Sequence, residues 1–253
     1  MKKILALSLL MLALNAQAQH QFYYQLRIYH FKTAAQEQVL DHFFQAAFLP
    51  ALHRAGVQLV GVFKPVDTDT ADQRVYVFIP FKTMGAFLDL DAVLKKDAAF
   101  KADGADYLEA HWDAAPYTRM ESILLHAFKD MPEPAAPDLS APRKDRVYEL
   151  RSYESPTEGY HENKVHMFNE GGEVPLFKRL GFNAVFYSDV VSGAHMPNLM
   201  YMTTFNSRAD REAHWKTFSD DPYWKELVAR PEYQHNVSRA DITFLRPTDY
   251  SDF

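Results

Sequence analysis

Tyr24-Gln25-Leu26-Arg27-Ile28-Tyr29 returns 124 positions later as Tyr148-Glu149-Leu150-Arg151-Ser152-Tyr153. The residues downstream of each copy match as well. Phe48-Leu49-Pro50-Ala51-Leu52-His53-Arg54-Ala55-Gly56 reads like Glu173-Val174-Pro175-Leu176-Phe177-Lys178-Arg179-Leu180-Gly181 at a spacing of 125. Val77 to Thr83 reads like Tyr201 to Ser207, and Asp97 to Phe100 like Asp221 to Trp224, both at 124. A solenoid repeats every few tens of residues, so a period this long marks two whole domains. At 47% hydrophobic residues, each can bury a core of its own. The domains are expected over residues 22–130 and 144–253. Between them, residues 131–143 hold Pro132, Pro134, Pro137 and Pro142, a semi-rigid linker.

Residues 1–18 read as a secretory signal peptide. Met1-Lys2-Lys3 is positive, Ile4 to Leu14 is apolar apart from Ser8, and Ala16-Gln17-Ala18 is a small-x-small cleavage site. Cleavage near Ala18 predicts a periplasmic or secreted protein. The run is too short for a transmembrane span, and no later stretch approaches one. Loss of Lys2 and Lys3 leaves 25 basic against 33 acidic side chains. That balance excludes nucleic acid as a partner, since phosphate neutralisation needs clustered Lys and Arg. The chain has no cysteine, hence no disulfide, thiolate nucleophile or thiolate metal site.

Each half reads β-α-β-β-α-β, with an extra short helix before the last strand. Thr33, Ser207 and Asp221 have N-cap chemistry, and Pro222 suits a first helical position. Pro50 should kink or restart its helix, and Gly56 suits a C-terminal cap. On these features the chain resembles the NIPSNAP family of the dimeric α+β barrel group. The residues that carry the resemblance are the Tyr-x-Leu-Arg-x-Tyr strand, the Pro50/Gly56 and Pro175/Gly181 helix ends, and the Ser207 to Trp215 run. The first half departs from the pattern at Gln25 and Phe87. The resemblance implies an α+β fold of two tandem ferredoxin-like domains whose antiparallel four-stranded sheets face each other. They could pair within one chain or across a homodimer.

In that geometry Glu149, Arg151 and Tyr153, with Gln25, Arg27 and Tyr29, are expected to face the space between the sheets. A Glu and two Arg there are costly unless paired, hydrogen-bonded or wet. Two readings coexist: an internal Glu149–Arg151 ion pair that fixes strand register, and a lined pocket for a small hydrophobic or aromatic molecule. The candidate ligand-binding residues are Arg27, Tyr29, Glu149, Arg151 and Tyr153. No catalytic residue can be named, because the resemblance carries no agreed reaction. The barrel group also includes cofactor-free monooxygenases, haem-degrading oxygenases and isomerases, so turnover is the alternative. No cofactor is expected, and no metal site: among the eleven histidines no pair has His-Glu-x-x-His spacing, and His161 and His166 are five apart. A haem enzyme would want an axial His in the pocket, and the strand positions expected to face it hold none. There is no nucleophile elbow, phosphate loop or dinucleotide fingerprint.

Overall fold

The computed structural model describes residues 20–253 apart from 68 and 70; the expected signal peptide lies outside the described residues. The first half runs β1 (Tyr23–Phe31), α1 (Ala34–His42), a π-helical turn (Phe43–Phe48), α2 (Leu49–Arg54), β2 (Gly61–Pro65), β3 (Gln73–Phe81), α3 (Met84–Leu94), α4 (Ala98–Asp103), α5 (Ala105–Leu108) and β4 (Arg119–Ala127). The second runs β5 (Val147–Glu154), α6 (Glu158–Phe168), α7 (Glu173–Arg179), β6 (Asn183–Ser192), β7 (Asn198–Phe205), α8 (Arg208–Asp220), α9 (Pro222–Ala229) and β8 (Arg239–Pro247). Among the described residues no helix is long and apolar enough to cross a membrane.

Local chemistry sets the helix ends. Thr33, Thr83, Asp97, Ser207 and Asp221 each accept a backbone N–H of the first turn. Pro50 does restart a helix: the π-helical turn precedes it, and its missing N–H falls in the first turn of α2. Gly56 and Gly181 end their helices at φ +82° and +78°. The second strand is shorter than Val57–Phe63, because Leu59 takes φ +57° and delays pairing until Gly61.

β1 pairs with β3 and β4, and β5 with β7 and β8, all antiparallel. The two sheets do not merely face each other. β2 joins β8 through Phe63 to Pro65, and β4 joins β6 through Leu124 to Ala127. The result is one closed barrel, β1-β3-β2-β8-β5-β7-β6-β4, within a single chain. Closure removes every sheet edge.

The strand faces are inverted relative to expectation. Tyr24, Leu26, Ile28, Tyr148 and Leu150 point into the barrel with Phe63, Phe78, Phe186, Met202 and Leu245, and Phe253 packs among them. Gln25, Arg27, Tyr29, Glu149, Arg151 and Tyr153 therefore point outward, toward the helices. These side chains fill the middle of the barrel, and a recess of about 210 Å³ remains among the inward-facing Ile28, Tyr76, Leu150, Ser152, Met200 and Thr243. The charged face needs donors and acceptors, and the helix layer supplies them.

Candidate functional site

The outward face of β5 carries a buried ion network. Glu149 is fully buried and accepts from Arg151 Nε at 2.8 Å, Arg211 Nη2 at 2.7 Å, Arg211 Nε at 3.0 Å and Trp215 Nε1 at 2.8 Å. Burial pushes the Glu149 carboxyl up, but the Arg211 hydrogen bond, the Arg151 charge and the Trp215 N–H outweigh it and hold the carboxyl below its ordinary value. Arg151 lies 3.9 Å above the Trp215 ring and donates to the Tyr153 hydroxyl at 2.5 Å. The Tyr201 hydroxyl lies 2.8 Å from that of Tyr153. The expected Glu149–Arg151 pair is thus present, completed by α8 rather than by the opposite sheet. The capping of α8 by Ser207 brings Arg211 and Trp215, one turn apart, over β5.

Beside this network lies a cavity of about 390 Å³ between β5, α6, α8, α9 and the chain before β8. Tyr153, Trp215, Trp224, Phe218, Met167 and Tyr233 form much of its wall. Lys164 and Glu173 also line it; their side chains are 6% and 3% exposed, and Lys164 Nζ donates to Glu173 Oε2 at 2.9 Å. The ammonium also lies 4.7 Å from the Phe168 ring and 5.6 Å from that of Tyr153. Burial pushes the Glu173 carboxyl up, against the pull of Lys164. Gly172 places Glu173 here. It adopts φ +82°, and a Cβ on it would sit 2.6 Å from the Tyr223 hydroxyl oxygen.

The matching face of the first half is different. Gln25 donates to Ser122 at 2.7 Å, Arg27 donates to Gln25 at 2.9 Å, and Arg27 lies 5.3 Å from the Phe48 ring. Tyr29 is buried against Phe44 and Tyr117. Phe43, Phe48, Phe100 and Tyr107 fill the space beyond, with Phe43 stacked on Tyr107 at 3.7 Å. Tyr29 therefore belongs to a solid core with Arg27 partly buried at its edge, and neither is brought together with Glu149, Arg151 and Tyr153. Of the five sequence candidates only Tyr153 lines the cavity; Glu149 and Arg151 stand behind it. A larger recess of about 730 Å³ runs along α1 and residues 112–119, but it holds no buried ionisable pair, and Trp112 in its wall is 83% exposed.

Sequence reasoning misses Lys164, Glu173, Tyr201, Arg211 and Trp215 as site residues. The repeat does carry a signal for two of them. Glu173 falls where the first half has Phe48, and Lys164 falls where it has Leu40. Charge in one half against hydrocarbon at the matching position of the other singles these two residues out. Among the described residues no cluster of three or more metal-ligating side chains occurs.

Residues 148–252, the span that carries this network and cavity, match the NIPSNAP family model. The second half is a NIPSNAP domain. Over 90% of the chain the fold is similar to a candidate monooxygenase from Lactobacillus acidophilus NCFM, with 12% identity, 94% of that chain covered and a TM-score of 0.55. It is equally similar, at 10% identity, 92% coverage of that chain and TM-score 0.55, to a candidate monooxygenase from Fusobacterium nucleatum. A NIPSNAP family protein from Agrobacterium tumefaciens C58 matches 42% of the chain at 22% identity, with 96% of that protein covered and a TM-score of 0.37. No curated protein matches the chain. The first two likenesses show the fold, an α+β barrel whose span covers both halves.

Proposed function

We propose that this is an exported protein of two tandem ferredoxin-like domains, and that it binds a small hydrophobic or aromatic molecule in the helix-side cavity of its NIPSNAP domain. The site expected from sequence, between the sheets, is replaced by one between sheet and helices, because the strand face that carries Glu149, Arg151 and Tyr153 turns outward. One observation carries the reading: a cavity of about 390 Å³, walled by Trp215, Trp224 and Phe218, has a buried Lys164–Glu173 pair in its lining. The volume suits a small organic ligand, and aromatic walls with a few placed polar groups are what such sites use. A buried ion pair is weak evidence of stabilisation, since an apolar pair of similar volume does as well or better. Its presence where the first half keeps Leu40 and Phe48 supports a role in binding.

Native mass spectrometry of residues 19–253, purified gently from the periplasm of the host, tests this. The expected result is a reproducible added mass that disappears in a Lys164→Leu/Glu173→Phe variant. A protein free of added mass, which also takes up no aromatic probe, would overturn it. The same spectrum reports whether the chain forms a homodimer. A second reading, turnover by a cofactor-free oxygenase or isomerase, is favoured by Glu173, a carboxyl raised by burial and set beside an ammonium, suited to proton transfer. Chemical conversion of the captured molecule by the wild type, absent from Glu173→Gln, would support turnover over storage.

A further inference from the structure

The hydrogen bonds made at Tyr153 narrow the ligand class. Tyr201 is fully buried, and the acceptor its hydroxyl reaches is the Tyr153 oxygen, at 2.8 Å. A buried hydroxyl that fails to donate is costly, so Tyr201 donates to Tyr153. Arg151 Nη1 donates to the same oxygen at 2.5 Å. A phenol oxygen has two acceptor positions and one hydrogen. Both acceptor positions of Tyr153 are thereby taken, one by a guanidinium. Its own hydrogen has no acceptor among the described residues, and Tyr153 lines the cavity. Lys164, in the same wall, offers a second donor group, only partly used by Glu173 Oε2 at 2.9 Å. Glu173 is the carboxylate of the lining, and Lys164 occupies one of its oxygens. Gln234, His235 and Asn236 also line it, and the buried Asn236 amide leaves both Oδ1 and Nδ2 without a partner among the described residues, so the wall offers acceptors as well as donors; the donor set among the aromatic rings is the Tyr153 hydroxyl.

We propose that the ligand is a flat apolar molecule carrying an oxygen acceptor, a ketone carbonyl or its enolate, and that Tyr153 donates its hydroxyl hydrogen to that oxygen. This rests on the cavity being the binding site. Trp215, Trp224 and Phe218 would cover the apolar body, and Arg151, fixed by Glu149, holds the phenol in place. Two hydrogen bonds received by the Tyr153 oxygen polarise its O–H and strengthen the one it gives.

The test uses 1-tetralone and tetralin, which share their ring carbons and differ in the ketone oxygen. The indole N–H signals of the three tryptophans report binding by NMR, and exposed Trp112 serves as the internal reference. The expected result is that 1-tetralone shifts Trp215 and Trp224 but not Trp112, and binds about fivefold tighter than tetralin, the middle of the range for one buried hydrogen bond. In Tyr153→Phe the preference should fall to about one while tetralin binding persists. In Tyr201→Phe, which leaves the Tyr153 hydroxyl in place, a preference should remain. Equal binding of the two probes by wild type, or a preference that survives Tyr153→Phe or vanishes only in Tyr201→Phe, would overturn the donor assignment and leave the cavity standing. If neither probe moves Trp215 or Trp224, the binding site itself is wrong.

Discussion

The outward faces of β1 and β5 begin from nearly the same sextet and end in opposite solutions. Around β1, Gln25 and Arg27 make a short neutral-to-cation chain, and beyond it Phe43, Phe48, Phe100 and Tyr107 close the space. Around β5, Glu149 ties Arg151 to Arg211 and Trp215, and beyond it a cavity opens with Lys164 and Glu173 in its wall. The same backbone plan thus supports a packed core in one half and a lined space in the other. The difference comes from a handful of positions: Gln25 against Glu149, Leu40 against Lys164, Phe48 against Glu173. The first half fills this space by packing, and the second leaves it as a cavity.

The largest expected effect separates the two networks. Glu149→Ala leaves two guanidiniums without their buried carboxylate, and should lower unfolding free energy by about 3–5 kcal/mol. Gln25→Ala removes a neutral hydrogen bond to Ser122 and one from the partly exposed Arg27 guanidinium, and should cost about 2 kcal/mol. Denaturant melts of the two variants measure the contrast; equal losses would break it.

Next in size is the exchange of one half's filling into the other. Lys164→Leu with Glu173→Phe copies the first-half residues into the cavity. Replacing a buried ion pair by hydrocarbon is neutral or stabilising by about 1–4 kcal/mol. The double variant should therefore melt no lower than wild type while losing the bound molecule. A loss of several kcal/mol would mean that the pair is structural and that the two halves are less alike than their register implies.

The two buried glutamates of the NIPSNAP domain should respond to pH with opposite signs. Glu149 is held below its ordinary 4.5, so its contribution is present above that value and is lost as pH falls through its folded-state value. Glu173 is raised above its ordinary 4.5, so folding favours its protonated form; that contribution is full below 4.5 and is lost as pH rises through its folded-state value. Glu149→Gln should flatten the acid limb of the stability curve. Glu173→Gln should gain on wild type as pH rises above 4.5. Stability measured across pH for both variants checks the pair of signs. The smallest contrast is an equality: Thr33→Ala and Ser207→Ala each remove one N-cap bond and should each cost about 1 kcal/mol in thermal or chemical melts.

Much of the fold was legible because it is written locally. The caps at Thr33, Ser207 and Asp221 and the helix ends at Gly56 and Gly181 each depend on a few neighbouring residues. The direction in which β1 and β5 face was not. Strand alternation assigns Tyr24, Leu26 and Ile28 to one side and Gln25, Arg27 and Tyr29 to the other, but it does not say which side is the interior. That depends on closure through β2–β8 and β4–β6, pairings between residues more than 60 positions apart. Once the barrel closes, the apolar set takes the middle of its interior. The partners of Glu149 were equally remote: Arg211 and Trp215 lie 62 and 66 positions on. Lys164 and Glu173 were hidden because the partners that bury them come from other elements; only comparison with Leu40 and Phe48 marks them.

The most direct test of the contrast between the halves is a crystal structure of the chain with 6-bromo-1-tetralone, located by the anomalous signal of bromine. The account predicts one occupied position, among Tyr153, Lys164, Trp215 and Trp224, and none among Phe43, Phe48, Phe100 and Tyr107. Bromine within the first-half core or inside the barrel, with the second-half cavity empty, would contradict it.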